Sequence, residues 1–155
     1  MKKILVPTDF SDVARCAVNH AGSVAKAYGN EITRLYSMEE CILGGLFSGS
    51  QSDVMRDAIQ VKLETKAKDI AEKNNVKVHA LVDKGKVYKT IAGIANSNNY
   101  DSIIMGSNGA SGLDQIVGSN ASRTIQYAEV PVVVVKQNST KDSGYKKIVM
   151  PIDLS

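Results

Sequence analysis

The chain has two cysteines, two phenylalanines and no tryptophan among its 155 residues. Cys16 and Cys41 are too few and too unpatterned for a disulfide framework or a metal site. Cys16 falls on the apolar stripe of a helix and reads as core packing. No apolar run approaches the ~18–20 residues that a membrane span needs. Pro7 and Asp9 interrupt the opening "MKKILVPTDFSD" too early for a signal-peptide core, so the expected compartment is the cytoplasm. Nineteen basic residues stand against 16 acidic ones, for a formal charge of +3, and no basic cluster is interleaved with aromatics. A nucleic-acid footprint is therefore absent, and neither nucleic acid nor membrane is an expected partner.

What is present is an ordinary globular composition, 43% apolar and 23% charged, in a chain long enough for one domain with a core. "KILV" (3–6) reads as a buried strand stopped by Pro7. Ser11 is a candidate N-cap for a helix whose stripe runs Ala14, Ala17, Val18, Ala21, Val24, Ala25 and Tyr28 and which ends at Gly29. "EITRLYSM" (31–38) reads as a second strand, with Arg34 out of place in it. "CILGGLFSGSQS" (41–52) reads as a loop. Met55, Ile59, Leu63, Ala67 and Ile70 mark a long helix, and "VKVHALV" (76–82) alternates as a third strand. Val87, Ile91, Ile94 and Ala95 mark a third helix, and "SIIM" (102–105) a fourth strand. Ala121, Thr124, Ile125 and Ala128 mark a helix beginning near Ser119, and "VPVVVVK" (130–136) a fifth strand. Strict alternation of strand and helix predicts an α/β fold with an open parallel sheet covered on both faces. In such sheets ligands sit beyond the carboxyl ends of the strands, where strand order reverses.

Residues 145–155, "YKKIVMPIDLS", match residues 1–11, "MKKILVPTDFS", at six of eleven positions with a constant offset of 144. The expectation is one domain over 1–138, a polar linker over 139–146, and the first strand of a second copy over 147–155.

The stretch "MGSNGASGLDQIVGSN" (105–120) carries the chemistry. Gly106, Gly109 and Gly112 are three apart, and Gly118 follows six residues later, just before a helix. Glycine admits positive φ and close ligand approach, and a helix N-terminus presents unpaired N–H groups and a positive dipole end. With donors from Ser119 and Asn120 this is a physical recipe for holding phosphate. The P-loop pattern and G-x-G-x-x-G are both absent, and the plainer alternative is a flexible connection with Ser119 as an ordinary N-cap.

Taken together, "KILVPTDFS" and "IIMGSNGASGLDQIVGSNASRTIQYAEVPVVVVK" resemble the opening strand and the signature region of the universal stress protein family, over residues 2–136. The resemblance implies a Rossmann-like sheet in the order 3-2-1-4-5, with nucleotide sites between strands one and four. It implies ATP or a related adenine nucleotide as ligand, with Mg2+ on the phosphates near Asp9. ATP-binding members carry G-x2-G-x9-G-[ST]. Here Gly106, Gly109, Gly118 and Ser119 fit that pattern, except that eight residues, Ala110 to Val117, stand where nine are expected. If extended, one residue displaces the loop end by up to ~3.5 Å. Carried over residue by residue, Asp9 lies near ribose or a metal, and Pro7 and Thr8 shape its turn. Ser37 meets adenine through its backbone, and Gly106, Gly109, Gly118, Ser119 and Asn120 hold phosphates and ribose. Ser107 and Asn108 line the loop and are expected to face solvent. The alternative for Asp9 is a plain turn residue.

The resemblance also implies pairing of fifth strands across a two-fold. A homodimer, or pairing with a tandem copy, is therefore expected through Val132–Val135. Nothing assembles a catalytic constellation: His20 and His79 have no nucleophile or acid partner legible in sequence, and the HxGH and SGGxDS motifs are absent. Three readings follow. They are a stress-response regulatory domain that binds nucleotide, an interaction domain that has lost it, and a weak ATPase.

Overall fold

The computed structural model describes residues 2–39, 49–107, 117–137 and 149–150, without the side chains of 49–51. Five strands, β1 (Lys3–Pro7), β2 (Glu31–Met38), β3 (Val78–Lys84), β4 (Ser102–Gly106) and β5 (Val132–Val135), alternate with four helices. These are α1 (Asp12–Tyr28), α2 (Gly49–Asn74), α3 (Val87–Ser97) and α4 (Ser119–Tyr127). All neighbouring strands are parallel, in the order β3-β2-β1-β4-β5. The sequence-derived fold class and strand order hold.

β1 shows why short apolar strands suit this position. Ile4 and Val6 enter one core with Ala17, Val18 and Ala21 of α1, while Leu5 enters the other with Ile91 of α3 and Ala121 of α4. β4 divides likewise, Ile104 to the first side and Ile103 and Met105 to the second. A strand buried on both faces has no polar side to alternate with.

α1 begins and ends where its sequence signals stand. The Ser11 hydroxyl accepts from the Ala14 N–H at 3.2 Å, and Gly29 closes the helix at φ 66°. Tyr28, read as part of the stripe, is instead 78% exposed, because the last turn runs past the core.

α2 departs most from the sequence reading. It begins at Gly49, inside the stretch read as a loop; Gly49, Ser50 and Ser52 mask the helix. At 26 residues it spans ~39 Å, against ~26 Å for β2, so its first turns overhang the sheet. Leu63 and Ala67 are therefore buried, whereas Met55, read on the same stripe, is 60% exposed. β3 lies two residues later than its alternation indicated, and β1 extends one residue to include Pro7. Ile125 of α4 faces solvent, leaving Ala121 and Thr124 as that helix's buried residues.

Arg34 is buried in the middle of β2 with its Nε and Nη1 lacking partners. Burial lowers its pKa, opposed by the charge of Asp69 on α2. The backbone ladder through Val6 and Ala80 is intact at this residue. The reading of residues 41–48 and of the linker lies outside the described residues. Of 147–155, Val149 and Met150 are described; they belong to no strand and are almost fully exposed. Among the described residues, no helix is long and apolar enough to cross a membrane.

Candidate functional site

Strand order reverses between β1 and β4: β1 connects through α1 to β2 on one side, and β4 through α4 to β5 on the other. The two outgoing loops therefore part and leave a crevice. A cavity of about 580 Å³ opens there, within the range of small-ligand sites. Pro7, Thr8, Asp9, Ser37, Gly106, Ser107, Gly118, Ser119 and Asn120 all line it, together with Tyr36, Glu39 and an apolar floor of Leu35, Ile91 and Met105. Gly109 and Asn108 lie outside the described residues.

The β1 side of the cavity is a turn built from side chains. The Thr8 N–H donates to the Leu35 carbonyl at 2.8 Å, which carries the β1–β2 pairing one residue past Pro7. The Thr8 hydroxyl accepts from the Phe10 N–H at 3.1 Å, and Asp9 Oδ1 accepts from the Ser11 N–H at 2.9 Å. Asp9 thus performs the turn role that sequence offered as its alternative, while standing on the cavity wall. Between these bonds Phe10 sits at φ 63°. A bulky residue there costs ~1–2 kcal/mol. Its ring stacks on Tyr36 with centroids 5.3 Å apart, and Lys62 of α2 places Nζ 4.2 Å from its centre. A ring pair is worth ~0.5–1.5 kcal/mol and an exposed cation–π contact ~0.5–1 kcal/mol, which together offset the strain. No sequence signal marks residue 10 as strained, since glycine or asparagine is the usual occupant of that conformation.

The β4 side is built from backbone. The Ser107 N–H donates to the Val135 carbonyl at 2.8 Å, and the Gly118 N–H donates to the Ser107 carbonyl at 2.6 Å. The two ends of the glycine segment are thereby held side by side. One residue fewer between them changes the closure cost by well under ~0.6 kcal/mol. Ser107 is buried, 4% exposed, contrary to the solvent-facing expectation. Gly106 has a packing reason that the sequence reading missed: a Cβ there would stand 2.5 Å from Val13 Cγ1 and 3.1 Å from the Val13 carbonyl carbon. The residue lets α1 lie against β4.

Gly118, not Ser119, is the N-cap of α4, at φ −67° and ψ 159°, with no side-chain cap. Among the described residues, no side chain caps the first-turn N–H groups of Ser119, Asn120 and Ala121 beside the cavity. That leaves donors and a positive dipole end for an anion. At the β2 end the Ser37 hydroxyl donates to the Gly85 carbonyl at 3.2 Å, so its side chain is engaged in tying β2 to the loop after β3. Among the described residues that line the cavity there is no lysine or arginine, and the carboxylates are Asp9 and Glu39.

A doubly wound parallel sheet with a cavity at its switch point defines an open-sheet α/β protein of the Rossmann-like type. Comparison with known proteins agrees with the fold and narrows it. The sequence profile of the universal stress protein family matches residues 1–136. The chain is 37% identical to universal stress protein MJ0531 of Methanocaldococcus jannaschii over 141 residues, covering 88% of this chain and 82% of that protein. With universal stress protein MJ0577 of the same organism it shares 30% identity, covering 90% and 97%. The solved structure of MJ0577 matches with a TM-score of 0.74 at 28% identity, over 90% of this chain and 98% of that one. An Arabidopsis thaliana universal stress protein family protein, solved with AMP bound, matches with a TM-score of 0.64 over 90% and 94% of the two chains. At 18% identity that likeness is one of fold. The chain belongs to the universal stress protein family.

Proposed function

We propose that the protein is a regulatory domain that binds an adenine nucleotide, ATP in the first instance, in the cavity between β1 and β4. The observation that carries this reading is convergence. Nine residues singled out in sequence line one cavity of nucleotide size, beside the uncapped start of α4. The apolar floor suits a base, and the helix N-terminus suits phosphate. AMP in the Arabidopsis protein of the same fold makes adenine nucleotides the first class to test.

The charge of the wall adds a condition. Among the described lining residues two carboxylates and no cation oppose a bare triphosphate, so the nucleotide enters as its Mg2+ complex, with Asp9 facing the ion. Calorimetric titration with ATP, with and without Mg2+, tests this. Heat of binding that needs Mg2+ is expected. No heat at millimolar ligand in either titration would remove the reading and leave the interaction-domain alternative, which the shortened Gly109–Gly118 spacing favours. Phosphate release above blank, lost on Asp9→Ala, would add weak ATPase activity.

We further propose that β5 is a pairing edge. It is the outer strand beyond β4, and Val133 is 39% exposed on it. An open valine edge takes a second strand readily. The partner is a second copy of the domain, in another chain or in tandem, as the 145–155 repeat indicates. A dimer is expected by light scattering at micromolar concentration, and a charged residue at Val133 should shift it toward monomer.

A further inference from the structure

We infer that Phe10 is a positioning residue whose ring locks the turn that presents Asp9 to the cavity. The inference rests on the nucleotide reading for its ligand arm alone. A residue needed only for a left-handed backbone would be glycine, which adopts φ 63° without strain. Phenylalanine is strained there, so its side chain carries the reason for its presence.

That side chain ties the turn to two other elements. It stacks on Tyr36, which is itself a wall of the cavity, and it lies under Lys62 of α2. The two hydrogen bonds that shape the turn flank it in sequence: the Phe10 N–H to Thr8 Oγ1 and the Ser11 N–H to Asp9 Oδ1. Rotating φ of Phe10 away from 63° would carry the Ser11 N–H away from the Asp9 carboxylate. The ring therefore holds the Asp9 carboxylate in register with the start of α4 across the cavity, and does so without touching ligand.

The test reads the turn and the site separately. Hydrogen exchange at the Ser11 amide reports the bond to Asp9. Titration with Mg2+-ATP reports the site. Phe10→Gly permits the same backbone but has no ring, and Phe10→Tyr keeps the ring. In Phe10→Gly, Ser11 protection and Mg2+-ATP affinity should each fall about tenfold, while Phe10→Tyr should retain both. Lys62→Met should lower both by about two- to threefold. Unchanged Ser11 protection in Phe10→Gly would overturn the inference. If the unsubstituted protein takes up no nucleotide, the proposed function falls, and Ser11 protection still decides the role of Phe10. If Phe10→Gly does not fold, Phe10→Leu, which has bulk but no π face, supplies the same two readings.

Discussion

On the β1 side of the cavity side chains hold the backbone, through the Thr8 hydroxyl, the Asp9 carboxylate and the Phe10 ring. On the β4 side backbone holds backbone, through Ser107 to Val135 and Gly118 to Ser107. The difference sets which substitutions each side tolerates. The first side fails when a functional group is removed. The second is indifferent to side-chain loss and fails when bulk is added.

The largest expected effect is Gly106→Ala, which sets a Cβ against Val13 and should cost about 1–3 kcal/mol in urea unfolding. Val13→Ala in the same chain should return part of that loss, since one of the close contacts is to the Val13 side chain. A fully stable Gly106→Ala would show that α1 moves freely and would end the packing account. Next comes Asp9→Ala, expected to weaken Mg2+-ATP binding about tenfold or more while lowering stability by about 1 kcal/mol through the lost Ser11 bond. Ser107→Ala, on the opposite side, should leave affinity within about threefold, because the backbone of Ser107 makes its bonds to Val135 and Gly118. Equal losses at Asp9 and Ser107 would erase the contrast. A glycine inserted after Ala110, restoring the nine-residue spacing, should change stability by less than about 0.5 kcal/mol, because Ser107 and Gly118 already meet.

The smallest effect is with pH. Burial lowers the His20 pKa from 6.5, so as pH falls the unfolded chain takes up that proton first. Its contribution is complete above 6.5 and lost as pH drops below it. Glu31 loses some solvation, which raises its pKa, but the hydrogen bonds and charges of Lys77 and His79 prevail and hold it below 4.5. Its contribution is present above 4.5 and is lost on further acidification. Thermal midpoints should therefore decline from pH 7.5 to pH 5.5, and His20→Gln should flatten that interval.

Much of the architecture was legible. Alternating short apolar strands and amphipathic helices require a covered parallel sheet, and Ser11 and Gly29 mark the ends of α1 by their chemistry. The start of α2 was not legible, because glycine and serine at 49–52 carry loop propensity, which this helix overrides. Nor was the exposure of Met55: a periodic stripe says which face is apolar, not how far the sheet beneath it extends.

The site divides in the same way. Sequence alone brought nine of its candidate residues to one cavity, because Asp9 and Gly106 stand at the ends of strands one and four, and those strands end together at the switch point of a parallel sheet. Only tertiary structure decided what each residue does there. Gly106 yields space to Val13, Ser107 is buried under the β5 carbonyl, Gly118 rather than Ser119 caps α4, and Phe10 is strained against Tyr36. These roles depend on contacts between residues far apart in the chain, and no local pattern encodes such a distance.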